Sequence, residues 1–220
     1  MIATNGELYV SAAVSEDCNV QLIGQPYLSS SGLTLYSSFK VTFTELPTAT
    51  GGYFAHFKDS GTSNFRGRVF ASTTNSASGA FRLGVGNSSG ANAGTAQFPQ
   101  DLTLGTPYIV VTRMVLATDE TTIWINPTNE LTGFITAGDA VTNGTISVAG
   151  YSIREDGATS TGNIGKMNLD NLIVGTSFAS VLQSVPATTV SATIQQSGSD
   201  VILTWSGSYH VQTASDINGP

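Results

Sequence analysis

The sequence predicts an all-β protein folded as a two-sheet antiparallel sandwich, and three observations predict it. Apolar and polar residues alternate with period two in run after run, as in residues 35–43 (LYSSFKVTF), which sends successive side chains to opposite faces of a strand. No long window keeps the 3.6-residue period of an amphipathic helix. Clusters of Gly, Ser and Asn at 75–79, 87–94 and 156–162 punctuate the runs as turns.

In chain order, strands are predicted over residues 7–13, 33–43, 53–58, 65–72, 80–86, 108–116, 121–126, 145–154 and 163–174. The pair 108–116 and 121–126 reads as a hairpin: two apolar runs flank a four-residue turn (ATDE), and Asn126-Pro127 stops the second. The segment 166–181 (KMNLDNLIVGTSFASV) reads as a closing strand. Met167, Leu169, Asn171 and Ile173 share one face, and Asn168, Asp170, Leu172 and Val174 share the other. Apolar groups on both faces place it inside a sandwich, and Gly175 ends it. After Leu182 the composition shifts to a short linker, followed by strand-like segments at 190–196, 201–205 and 209–213.

At 220 residues the chain can bury one sizeable core with a smaller appendage. Only 10% of residues are charged, against about a quarter in ordinary soluble domains, so hydroxyls and amides must keep the surface wet. A net charge of -7 without a Lys/Arg cluster excludes nucleic acid as a partner. Cys18 has no second cysteine to bridge and no companions at metal-ligand spacing; it reads as a half-buried small residue, against an intermolecular bridge or a reactive thiol. No stretch reaches the roughly 18 apolar residues of a membrane span, so membrane insertion is not expected, and no signal peptide is present at the start of this chain.

Residues 15–19 (SEDCN), 35–43, 53–59 (YFAHFKD), 64–70 (NFRGRVF), 81–86 (FRLGVG) and 170–178 (DNLIVGTSF) together resemble concanavalin A-like jelly-roll modules, laminin-G or pentraxin-like, of secreted bacterial proteins. The resemblance covers most of residues 7–181. It implies a jelly-roll sandwich in a secreted or cell-surface protein, with Arg113 on a central strand and Trp124 on its neighbour. Such modules begin with a strand before residue 5, and without it an edge would stand unpaired. Residues 200–205 (DVILTW) with 209–220 resemble the first half of a fibronectin-III or immunoglobulin-like module, which needs about a hundred residues to close. The expected organisation is a sandwich over 1–182, a linker over 183–189 and a partial β segment over 190–220, as a fragment of something longer or a partner for another copy.

The chemistry legible in the sequence is sparse. Glucanases of this architecture carry Glu-x-Asp-x-x-Glu on one strand, and that spacing is missing; Glu16-Asp17 would point to opposite faces and Asp119-Glu120 sits in a turn. Only His56 and His210 could serve a Ser-His-Asp triad, and no Gly-x-Ser-x-Gly elbow occurs. His56, between aromatic neighbours on a strand, reads as a packed histidine. The five arginines all fall in predicted strands. Arg66 and Arg68 share a face by spacing, and with Arg82 and Arg113 alongside they would form a guanidinium surface for hydroxyls or carboxylates. The competing reading pairs them with Glu16, Asp17, Asp59 or Asp170. Tyr36, Tyr53, Trp124 and Tyr151 are candidate sugar-stacking platforms. The resemblance implies a structural Ca2+ near the closing strand, with Asp170 as ligand and Asp17, Asn19 and Glu16 from an early loop.

The expected function is a non-catalytic extracellular module that binds a polysaccharide or cell-surface glycan through Arg66, Arg68, Arg82, Arg113 and Trp124. The alternative is a structural fibre subunit that self-associates through strand edges. No enzyme activity is expected within these residues, although a catalytic domain could lie elsewhere in a longer parent.

Overall fold

A computed structural model describes residues 1–4, 6–11, 16–87, 96–137, 144–155, 163–182, 192–197 and 200–205, the last two segments by backbone only. The chain divides into two units, Met1–Val185 and Pro186–Pro220. In chain order the strands are β1 (Ile2–Thr4), β2 (Glu7–Val10), β3 (Glu16–Gln21), β4 (Thr34–Glu45), β5 (Gly52–Lys58), β6 (Phe65–Ser72), β7 (Ala80–Gly86), β8 (Ala96–Gln97), β9 (Leu102–Thr103), β10 (Pro107–Val115), β11 (Glu120–Ile125), β12 (Phe134–Ala137), β13 (Gly150–Glu155), β14 (Lys166–Gly175), β15 (Ala192–Ser197) and β16 (Asp200–Trp205). One helical turn, α1 (Phe178–Val181), follows β14.

The first unit is a sandwich of two antiparallel sheets. The first sheet runs β1-β2-β14-β4-β10-β11-β12; the second runs β3-β13-β5-β6-β7-β8, with β9 also paired to β7. Alternation builds the core directly. Leu35, Phe39, Val41 and Phe43 of β4, with Tyr108, Val110 and Met114 of β10 and Ile123 and Ile125 of β11, point inward from the first sheet. Phe54, Ala55, Phe57, Val69, Ala71, Phe81, Leu83, Val85, Tyr151 and Ile153 meet them from the second. Burying such a Phe or Leu side chain contributes about 1.5–3 kcal/mol each. The polar exception is satisfied internally: Ser37 Oγ lies 2.7 Å from Thr112 Oγ1 and 3.1 Å from the Tyr151 hydroxyl.

The structure alters several sequence-based expectations. β1 pairs with β2, so the first sheet does have a strand before residue 5, and β2 is not an unpaired edge. β3, whose residues are all exposed, has only Cys18 and Val20 alternating with polar residues and lies outside the expected strands. β14 lies between β2 and β4, but its register to β4 shifts between Asp170 and Ile173, where Asn171 adopts φ +55°. Met167 and Leu169 are buried while Leu172 and Ile173 emerge, so the simple two-face division fails beyond the bulge. Cys18 is exposed rather than half-buried. In the second unit the described residues form only the β15–β16 hairpin; the expected strand at 209–213 lies outside the described residues, and nothing supports a fibronectin-III or immunoglobulin-like module.

Candidate functional site

The outer face of the second sheet is set by the same alternation, read from the other side. Tyr151 opposite Phe57 and Ile153 opposite Ala55 face the core, so the intervening pair Ser152 and His56 faces out, with Asn19 of β3 opposite Ser152. Ser152 Oγ donates to Asn19 Oδ1 at 2.5 Å. On β6 and β7 the outward positions are Arg68, Phe70 and Ser72, paired with Gly86, Gly84 and Arg82, and Gln97 of β8 extends the row.

A bulge decides which arginine belongs to this face. Arg66 pairs with Phe57 and Val69 with Ala55, so two residues, Gly67 and Arg68, stand against His56 alone. Gly67 takes φ +56°, which a side chain disfavours, and an added Cβ there would lie 3.2 Å from the Phe57 ring. Arg66 therefore points inward and Arg68 outward; the expectation that they share a face is wrong because the extra residue flips the parity. Arg66 Nε donates to Asp119 Oδ2 at 2.9 Å and Nη2 to the Gly144 carbonyl at 2.6 Å, in a pair almost sealed from solvent. Asn87 anchors the bulge: its Oδ1 accepts from Gly67 N at 2.8 Å and from Thr121 Oγ1 at 3.2 Å, and its carbonyl accepts from Arg68.

At the centre of the face lies His56, 0% exposed and stacked on Phe65 with ring centroids 4.1 Å apart. Tyr53 approaches it edge-on at 5.6 Å. The Arg68 guanidinium stands 5.1 Å from the Tyr53 ring centre and 5.6 Å from that of Phe65, and the Arg154 guanidinium 4.5 Å from Tyr53. Burial pushes the imidazole down to about 3, and the charges of Arg68, Arg154 and Lys58 act in the same direction. The ring is neutral at physiological pH. Its Nδ1 lies 3.3 Å from the Phe57 carbonyl, an acceptor, which assigns the hydrogen to Nδ1 and leaves a lone pair on Nε2. Nε2 has no hydrogen-bond partner among the described residues. The charges of three of the eight basic residues of an acidic chain thus act on one neutral imidazole. Asp17 stands across from Arg154 on β3.

The other arginines go elsewhere. Arg82 donates to Asp101 at 2.6 Å on this sheet's far strand. Arg113 belongs to the first sheet, 5.8 Å from the Trp124 ring, and donates to Glu120 Oε1 at 3.1 Å and Thr122 Oγ1 at 3.0 Å. Trp124 is 1% exposed, under Phe178 of α1. Arg66, Arg68, Arg82, Arg113 and Trp124 therefore do not form one surface. Arg66 pairs with Asp119, Arg82 with Asp101, and Arg113 with Glu120 and Glu130, not with the acids expected from the sequence. Of the four candidate platforms, Tyr36, Trp124 and Tyr151 are buried and Tyr53 is half-buried.

Asp170 binds Lys40 at 2.8 Å on the first sheet, whereas Asp17 and Asn19 lie on β3 of the second. Among the described residues no three His, Cys, Asp or Glu side chains gather into a metal-holding group. No helix among the described residues is long and apolar enough to cross a membrane.

No protein-family model matches the chain, and no curated protein matches it. Solved structures do. A heptameric SAP-like pentraxin from Limulus polyphemus is 14% identical with TM-score 0.46, over 79% of this chain and 77% of that one. A family 7 alginate lyase in complex with product is 12% identical with TM-score 0.48, over 78% and 79%. An alginate lyase from Pseudomonas aeruginosa is 8% identical with TM-score 0.44, over 70% of each chain. At these identities the likeness concerns fold: an all-β concanavalin A-like jelly roll. Several of the similar structures are alginate lyases, so the expectations of a non-catalytic module, of its fibre-subunit alternative and of a chain without enzyme activity find no support in the comparisons.

Proposed function

We propose that this chain acts on an acidic polysaccharide, which it holds across the outer face of the second sheet. One observation carries the reading: Lys58, Arg68 and Arg154 converge on the neutral His56 among the rings of Tyr53, Phe65 and Phe70, in a protein whose net charge is -7. Guanidinium groups take carboxylates or sulfates bidentately. Buried His56 lies within this cluster, with no hydrogen-bond partner for its Nε2 among the described residues. A bound polyanion would offset the three cations and make that imidazole more basic. A polymer substrate fits an extracellular or cell-surface location for the sandwich, with residues 190–220 as a separate β appendage beyond a linker at 183–189.

The test is a binding panel of alginate, polygalacturonate and a neutral glucan, with ultraviolet absorbance followed for the unsaturated sugar ends that eliminative cleavage would release. Retention of the acidic polymers alone is expected, weakening as salt rises because exposed charge pairs are screened. Equal retention of the neutral glucan, or none of the acidic ones, overturns the proposal.

A further inference from the structure

At the end of the β5–β6 hairpin the cationic face runs into a pocket of opposite character. It has a volume of about 460 Å3 and is lined by Gln25, Asp59, Ser60, Asn64, Thr145 and Ser147 among others. Asp59 directly follows Lys58, and Asn64 directly precedes Phe65, so the pocket begins about 3.8 Å, one Cα step, from two residues of the sheet-face site. Its one carboxylate is held in place: Asp59 Oδ1 accepts from Gly61 N and Oδ2 from Asn64 Nδ2, both at 2.7 Å. No cation lines it. The side chains of Gln25, Ser60, Thr145 and Ser147 make no hydrogen bond to any described residue, which leaves donors and acceptors of both kinds facing the space.

A fixed carboxylate without a counter-ion repels a uronate, whereas hydroxyls and amides match an uncharged sugar. We infer that this pocket is a subsite for an uncharged sugar unit next to the acidic one, so that the preferred polymer alternates acidic and uncharged units rather than being a homopolyuronate. This rests on the reading of the sheet face as a polysaccharide site. The atoms of Lys58, Arg68 and Arg154 then select the charged unit, and Asp59, Asn64, Thr145 and Ser147 select its neighbour.

The experiment compares hyaluronan, in which glucuronate alternates with N-acetylglucosamine, with polygalacturonate of matched length, by calorimetry on the whole chain. Wild type should bind hyaluronan about tenfold more tightly, a difference of about 1.4 kcal/mol. Asp59→Asn, which keeps an acceptor for Gly61 N, should tighten polygalacturonate and narrow that ratio. Ser147→Ala with Gln25→Ala, at positions whose side chains make no hydrogen bond to any described residue, should weaken hyaluronan and leave polygalacturonate unchanged. If both polymers bind wild type equally, or neither set of substitutions alters the ratio, the pocket assignment falls while the sheet-face reading stands. If neither polymer binds, both fall.

Discussion

The two outer faces of the sandwich use the same materials to opposite ends. On the first sheet Tyr36, Ile109, Val111 and Trp124 are roofed by Phe178 and Val181 of α1, whose start is capped by Ser177 accepting from Ser180 N, and Ser38 Oγ donates to the Val181 carbonyl at 2.6 Å. The cations of that face are neutralised nearby: Lys40 by Glu7 and Asp170, Arg113 by Glu120 and Glu130, Lys166 by Glu45. Burial, with a hydrogen bond to Glu130, pushes the Tyr36 phenol up to about 12. On the second sheet no helix covers the face among the described residues, and Lys58, Arg68 and Arg154 all bear on one uncharged imidazole. An arginine beside an aromatic ring thus means stability on one face and, in the present proposal, a ligand on the other.

Four outcomes would break or sharpen this contrast. The largest belongs to the sealed face: Trp124→Ala should cost about 3–5 kcal/mol in denaturant unfolding and leave polymer affinity of the folded protein unchanged. A loss of affinity at unchanged stability would return Trp124 to the ligand. Next is the pH dependence set by His56. Its folded pKa of about 3 lies below the unfolded value near 6.5, so between these the unfolded chain binds the extra proton. Stability should fall as pH drops from about 6.5 towards 3, by up to about 1.4 kcal/mol per pH unit, and be flat in this term above 6.5. His56→Phe should remove that slope; an identical slope in the variant would mean that other groups produce it.

A smaller effect is expected at the rim of the second face. Arg154→Ala should weaken acidic-polymer binding about tenfold, near 1.4 kcal/mol, with the unfolding midpoint barely moved. A large stability loss with unchanged affinity would make Arg154 a structural residue like Arg113. Smallest is Arg113→Ala, where two partly exposed ion pairs, a hydrogen bond to Thr122 and one ring contact should cost about 1 kcal/mol and leave binding alone.

Most strands were legible because period-two patterning is a local signal: β4, β5, β6, β7, β10 and β11 all fall where alternation puts them. The site was less legible, because its composition depends on parity. One extra residue at Gly67 turns Arg66 towards Asp119 and Arg68 towards the opposite face with His56, both arginines being buried, and a second register shift between Tyr53 and Ala55 leaves Phe54 and Ala55 both in the core. Nothing in the spacing Arg-Gly-Arg announces the first shift except the glycine itself, whose freedom to adopt positive φ was the available clue. Strand β3 escaped notice because an exposed edge needs no apolar face. The role of Trp124 was misassigned because α1, a single turn of four residues, supplies its lid without a helical period.

The central claim is that the second face receives an anionic polymer above His56. The direct measurement is the proton NMR titration of the His56 ring, free and with saturating acidic polysaccharide. Offset of the Lys58, Arg68 and Arg154 charges should raise the His56 midpoint from its depressed value, while Arg154→Ala reduces the response. A midpoint that stays in place while the polymer binds would put the ligand on another surface and contradict the account.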